Sequence, residues 1–340
     1  MKLGQQGHDK HFSRASGGFT IIEILVALAI SMVLIAGFIK VIVDVNQGTR
    51  LVESLNVSQD GARIAQDILG KGIINAGHWG GINGDDINPA GSLTLVASGG
   101  CNAAWITNTA EPIRGYDGGA NLAATSFPTG CITNYQAATD ILVLRYADPE
   151  VMVPSASVTA TANANTLFVR TILADSSLGN VGEIFKGGSG ITTLLATGDP
   201  LGSYNYAYRS DIYYIRACSV TSPSCDNVPT LVRMRYDGTG YQSEILVEQV
   251  EQMQLAFGSD TDGDMTADRY DAAANVPNWT RVNSVRLDLV VRNTTGTAEF
   301  SDTATYTLAG GFSYDVATAD EKYRRQVFPS TIQIRNINRI

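Results

Sequence analysis

Asp260, Asp262, Asp264, Asp268 and Asp271 stand at positions 1, 3, 5, 9 and 12 of one polar run. Carboxylates so placed suit a hard cation that takes about six to eight oxygens. They repel one another when bare, and a calcium ion relieves that repulsion; without an ion, the run is a solvated acidic turn. Glu23 is a different case, because it heads a long apolar run. An ionised group is costly in lipid and is a functional candidate there, the plain alternative being a polar residue reaching back to the membrane edge. Cys101, Cys131, Cys218 and Cys225 allow three pairings. Neighbour pairing is the simplest: Cys101–Cys131 would staple a long segment, and Cys218–Cys225 would close a short loop containing Pro223. Free buried thiols are the other reading. No C-x-x-C spacing favours zinc, and His78 is the one histidine beyond residue 18. Hydrolytic triads and zinc hydrolases generally need a placed histidine. Asp and Glu are plentiful, but no paired-carboxylate motif, G-x-S-x-G, phosphate-cradling glycine loop or dinucleotide fingerprint stands out.

The acidic spacing resembles an EF-hand loop, with three departures. Gly263 is fourth rather than sixth, Met265 takes the usual glycine place, and Asp271 rather than Glu is twelfth. The resemblance implies Asp260, Asp262, Asp264 and Asp268 as side-chain ligands and Thr266 as a backbone-carbonyl ligand.

These residues belong to a chain of 340 residues with formal charge −9, pI ≈ 4.8, 44% hydrophobic residues and mean hydropathy +0.01. Such averages exclude a disordered chain and a polytopic membrane protein, and they disfavour a basic nucleic-acid binder. The apolar residues are unevenly spread. Ile24 to Ile39 holds 16 residues without a charge, within a 25-residue apolar stretch, Phe19–Val43, broken only by Glu23 and Lys40. As a helix that stretch spans roughly 37 Å, enough to cross a bilayer core. Lys2, Lys10 and Arg14 against Asp9 give residues 1–18 a net charge of +2, which places that end in the cytoplasm and the rest across the membrane. Ala36 and Gly37 offer only a weak signal-peptidase site, whereas cleavage near Gly17 and Gly18 would keep the apolar segment.

Leu51, Leu55, Ala62, Ala65 and Leu69, flanked by Val57, Ile64, Ile68 and Ile73, continue at helical spacing. Gly48, Gly61, Gly70 and Gly72 each lower helix propensity by about 1 kcal/mol relative to Ala. One long helix from about 20 to 75 is expected. Strands are expected at Leu93–Ala97, Asp140–Tyr146, Thr166–Thr171, Asp211–Ala217, Thr230–Tyr236, Glu244–Phe257, Ser284–Arg292 and Val327–Ile337. Asn, Gly, Ser and Thr fill 82–92, 117–130 and 155–166. The fold class is α+β, a long helix packed on antiparallel sheet.

Gly18-Phe19-Thr20-Ile21-Ile22-Glu23 resembles the signal of type IV prepilins and pseudopilins. The resemblance implies cleavage between Gly18 and Phe19 by a prepilin peptidase, and N-methylation of Phe19. Glu23 then pairs with the Phe19 amine of a neighbouring subunit as an assembly register. Losing residues 1–18 removes three positive charges and one negative, taking the formal charge from −9 to −11.

Later features resemble the PilW group of minor type IV pilins. They are Ala76-Gly77-His78-Trp79-Gly80, Asp211-Ile212-Tyr213-Tyr214-Ile215, the Leu246–Leu255 segment, the Asp-rich turn and Arg324-Arg325-Gln326-Val327-Phe328. Gly81 stands where that family often has cysteine. The implied organisation is a leader (1–18), a transmembrane or pilus-core helix (19–43), its amphipathic continuation (44–78) and an extracytoplasmic β-rich pilin head (79–340) with large loop insertions between about 80 and 210. The implied role is structural rather than enzymatic. The chain would sit in the bacterial inner membrane by a single pass and then in the surface fibre. There it would join other minor pilins and the major pilin in a priming and tip complex that supports a large tip adhesin. Adhesion, twitching motility and DNA uptake would follow at the level of the fibre. The alternatives are a type II secretion pseudopilin, a membrane-anchored enzyme, and direct nucleic-acid binding through Lys322, Arg324, Arg325, Arg335 and Arg339. Such residues are more often a solvated strand face.

Overall fold

The computed structural model describes residues 18–89, 93–96, 99–154, 165–175, 179–187, 204–297 and 299–336. Leader residues 1–17, most of the turn-rich stretch 155–166, Ala97, Ile337 and Arg339 lie outside them. The chain divides into two compact units, Met1–Glu53 and Ser54–Ile340.

One helix, α1 (Ile21–Asn75), runs for 55 residues, about 83 Å at the usual rise. Its start is set by Thr20 and Glu23. The Glu23 carboxylate accepts the Thr20 backbone N–H at 3.0 Å, and Thr20 Oγ1 accepts the Glu23 N–H at 3.3 Å. This reciprocal capping box satisfies donors that a helix start otherwise leaves bare. Within the first unit, every residue from Gly18 to Arg50 is exposed, including the apolar side chains on all sides of the helix. An apolar surface this large is far beyond what a soluble monomer tolerates in water, so lipid or other helices must cover it.

In the second unit the character of α1 changes. Ser58, Ala62, Ala65, Leu69, Gly72 and Ile73 are buried, at spacings of three and four that make one face. That face shares a core with two sheets. The first is eight-stranded and ordered β1 (Ile87–Pro89), β5 (Gly179–Lys186), β4 (Leu167–Asp175), β6 (Tyr204–Arg216), β3 (Ile141–Pro154), β2 (Ile113–Tyr116). β7 (Thr230–Tyr236) also pairs with β6, and β8 (Tyr241–Glu248) pairs with β7. All its pairs are antiparallel except β1–β5. The second sheet is antiparallel throughout, ordered β10 (Arg269–Asp271), β9 (Val250–Ser259), β11 (Val282–Arg292), β14 (Arg325–Gln333). β12 (Thr305–Thr307) and β13 (Ser313–Asp315) form a separate hairpin.

The first half of β3, residues 141–147, is buried on both faces, which is why it reads as a near-continuous apolar run. Leu142, Leu144 and Tyr146 pack in the core with α1. Ile141 and Val143 pack instead with Phe127, Ile132 and the Cys101–Cys131 pair of the insertion.

Two expectations are corrected. Glu244–Phe257 is not one strand. Gln249 adopts a positive φ of 66°, and this left-handed residue ends β8 in the first sheet and starts β9 in the second. The described part of Leu93–Ala97 is not a strand either; Leu95 is buried in the core around Trp79. That satellite core also includes Ile82, Ile106 and Tyr208.

Candidate assembly site and acidic loop

Gly18 and Phe19 are exposed and precede the first helical turn, so the peptide between them lies outside regular structure, where a peptidase can reach it. Glu23 lies in that first turn. One carboxylate oxygen, Oε2, receives both the Thr20 N–H and the Thr20 hydroxyl, at 3.0 and 3.1 Å. A carboxylate here also meets the positive end of the helix dipole. Glu23 is therefore not bare at the head of the apolar run: T-x-x-E before such a run is itself a capping signal. Oε2 is occupied locally, and among the described residues Oε1 has no partner and is available to a cation from outside the chain.

The acidic run forms the loop between β9 and β10. Carboxylate oxygens of Asp260, Asp262 and Asp268 all lie within 4.8 Å of one another. Oxygens around one calcium ion at about 2.4 Å are separated by at most about 4.8 Å, so these three fit a single ion. The loop holds them with its own amides. Asp260 accepts the N–H groups of Gly263 (2.6 Å) and Met265 (2.9 Å), and Asp262 that of Asp264 (3.2 Å). Asp268 accepts the Thr261 hydroxyl and amide, which holds its carboxyl below the usual range. Met265 has φ +70°, so the turn that an EF-hand makes at glycine is made here by a methionine.

Two carboxylates of the acidic run lie apart from this trio, of which Asp264 alone belongs to the expected ligand set. Asp264 is outside the trio and accepts the Thr266 N–H at 2.7 Å together with its hydroxyl. Asp271 belongs to β10 and pairs with Arg269 at 2.6 Å.

Cys101 is bonded to Cys131, and Cys218 to Cys225, with Cα separations of 6.0 and 5.3 Å. His78 packs rather than poises: Nδ1 lies 2.7 Å from the Ala147 carbonyl, and the ring meets Tyr206 edge-on.

Among the described C-terminal basic residues, Lys322 and Arg335 are exposed but Arg325 is not. The Arg325 side chain is fully buried. Nε and Nη2 contact Glu251 at 2.5 and 2.9 Å, and Nη1 contacts Asp302 at 3.2 Å. Arg324 lies over Phe300 and Lys322 over Tyr323. Glu251 owes its inward position to a β-bulge: Val290 pairs with Gln252 while Val291 pairs with Val250, leaving Glu251 between. Sequence alternation carries no mark of that bulge.

Residues 212–336 match the family model described as type IV pilus-assembly protein W, and residues 13–39 match the prokaryotic N-terminal methylation motif. The chain resembles a type IV minor pilin of the PilW group. No curated protein and no solved structure matches it. The first of these minor-pilin matches starts within β6 and takes in the whole second sheet, the acidic loop and the Arg325–Glu251 pair. The second takes in Gly18, Phe19, Glu23 and most of the exposed apolar helix. The disulfide-bonded insertion lies between the two.

Proposed function

We propose that the chain is a minor pilin that a prepilin peptidase cleaves between Gly18 and Phe19. It is then N-methylated at Phe19, held in the inner membrane by residues 19–43, and assembled with other minor pilins into a priming and tip complex. Adhesion and motility follow from the assembled fibre. The observation that carries this reading is the exposed apolar first half of α1, headed by a carboxylate with one oxygen still available. A neighbour's Phe19 amine supplies the cation, so the ion pair sets the axial register while apolar packing supplies the affinity. Mass spectrometry of the membrane-extracted chain should find an N-methylated Phe19 terminus. Glu23→Ala should abolish recovery in sheared pili while membrane levels stay normal. A retained leader, or full piliation with Glu23→Ala, sinks the proposal.

We also propose that Asp260, Asp262 and Asp268 hold calcium, with Asp264 and Thr266 reaching the ion after rearrangement of their mutual hydrogen bonds. When bound, the ion offsets two of the loop's negative charges and ties β9 to β10. Isothermal titration should give calcium heat that Asp262→Asn removes; no heat at millimolar calcium rejects the site.

A further inference from the structure

Along β11 the side chains alternate. Val285, Leu287 and Leu289 lie in the core shared with α1, so Arg286 and Asp288 stand on the opposite face of the second sheet. Arg286 is in register with Ala256 of β9 and Thr331 of β14. This face is the floor of an open surface recess of about 580 Å³. Tyr270 and the turn from Thr307 to Gly311, between β12 and β13, form its rim. The volume lies within the range of small-molecule sites, about 300–1,000 Å³.

The polar groups here converge without neutralising one another. The Arg286 guanidinium lies 3.7 Å from the Tyr270 ring centroid. The Tyr270 hydroxyl is in turn anchored by Ser284 Oγ at 3.1 Å. Among the described residues Arg286 makes no ion pair and no side-chain hydrogen bond. Stacking therefore orients its planar fork and leaves the N–H donors free, the arrangement that receives a carboxylate through two parallel bonds. Asp288 accepts the Ala309 N–H through Oδ2 at 2.8 Å, and Oδ1 stays open to a hydroxyl donor. The Thr307 and Thr331 hydroxyls are likewise uncommitted among the described residues. A fixed carboxylate beside the guanidinium penalises a dianion such as phosphate but accepts the hydroxyls of a sugar.

We propose that this recess binds a hydroxylated monocarboxylate of the uronic-acid class, its carboxylate on Arg286 and its hydroxyls on Asp288 and the two threonines. The proposal is independent of the pilin reading.

Isothermal titration of the full-length chain in detergent micelles with glucuronate should show saturable binding. Glucose should bind roughly tenfold more weakly, because it lacks the charged partner. Arg286→Leu should lose roughly tenfold or more, and Arg286→Lys, which keeps the charge but not the fork, should lose several-fold. Both variants should keep the wild-type urea midpoint, since Arg286 is exposed. Absence of saturable binding at roughly 10 mM glucuronate, equal binding of glucose, or wild-type affinity in Arg286→Leu overturns the proposal. Cyclohexanecarboxylate, a monocarboxylate of similar ring size without hydroxyls, binding as tightly as glucuronate overturns the sugar assignment.

Discussion

The Arg325 side chain sits out of solvent between Glu251 and Asp302, so removing its guanidinium leaves two buried carboxylates held by weaker partners, Glu251 by Arg292 at 3.6 Å and Asp302 by the Tyr306 hydroxyl at 2.8 Å. Breaking a buried pair from one side costs about 3–5 kcal/mol, whereas exposed pairs such as Lys71–Asp67 contribute little. Arg325→Ala should therefore lower stability by about 3–5 kcal/mol, whereas Lys71→Ala should leave the urea midpoint unchanged. Urea unfolding followed by tryptophan fluorescence measures both, since Trp79, Trp105 and Trp279 all lie in Ser54–Ile340. Asp140 is buried for a different purpose. Its carboxylate accepts the Gly118 and Leu255 N–H groups, both at 2.8 Å, and so links the insertion to β9. Burial pushes its pKa from 3.8 to about 7, against the lowering effect of those two bonds, and nearby Asp117 raises it further. The native state then holds a proton between pH 4 and 7 that the unfolded state has released. Stability contributed by Asp140 is present below about pH 4 and falls as pH rises to about 7, by at most about 1.4 kcal/mol per unit. Asp140→Asn should flatten that slope relative to wild type; an unchanged slope rejects the assignment.

Within α1 two glycines in one turn have opposite prospects. A Cβ at Gly72 would stand 2.8 Å from Leu144 Cδ1 and 3.3 Å from the Tyr213 hydroxyl, so the helix approaches β3 and β6 closely only because that side chain is missing. A Cβ at Gly70 meets nothing within 4 Å. Gly72→Leu should destabilise by about 1–3 kcal/mol through overpacking. Gly70→Ala should stabilise by about 0.5–1 kcal/mol, because only helix propensity is at stake. Thermal melts separate the two. If Gly70→Ala is as harmful as Gly72→Leu, the packing described for this turn is wrong. The same reasoning applies between strands. Thr230–Tyr236 reads as one strand and is one, β7. The neighbouring run, Glu244–Phe257, reads as one strand by its β-branched and alternating character. Gln249 ends it by taking a left-handed conformation that its residue type does not advertise.

Across Ser54–Ile340 the two disulfides close loops of unequal length, with sequence separations of 30 and 7 residues. Loop-closure entropy favours the longer by about 1 kcal/mol. Cys101→Ser with Cys131→Ser should cost about 3–4 kcal/mol, and Cys218→Ser with Cys225→Ser about 1 kcal/mol less, by urea unfolding. Equal losses would mean that strain or packing, rather than chain entropy, sets the contribution. The amino-acid order was enough to specify the uncharged run after Glu23, the helix that continues it to Asn75, most long strands and the acidic loop. Each of these rests on neighbours in sequence: hydropathy, period and local charge. It did not specify the break at Gln249, the bulge that turns Glu251 inward, the burial of Arg325 or the exclusion of Asp264 from the carboxylate trio. It also left the recess over Arg286 unseen. Those features depend on which strands pair and in what register. A charged side chain looks the same in sequence whether a distant partner takes it out of water or leaves it in solvent, and only the folded chain supplies that partner.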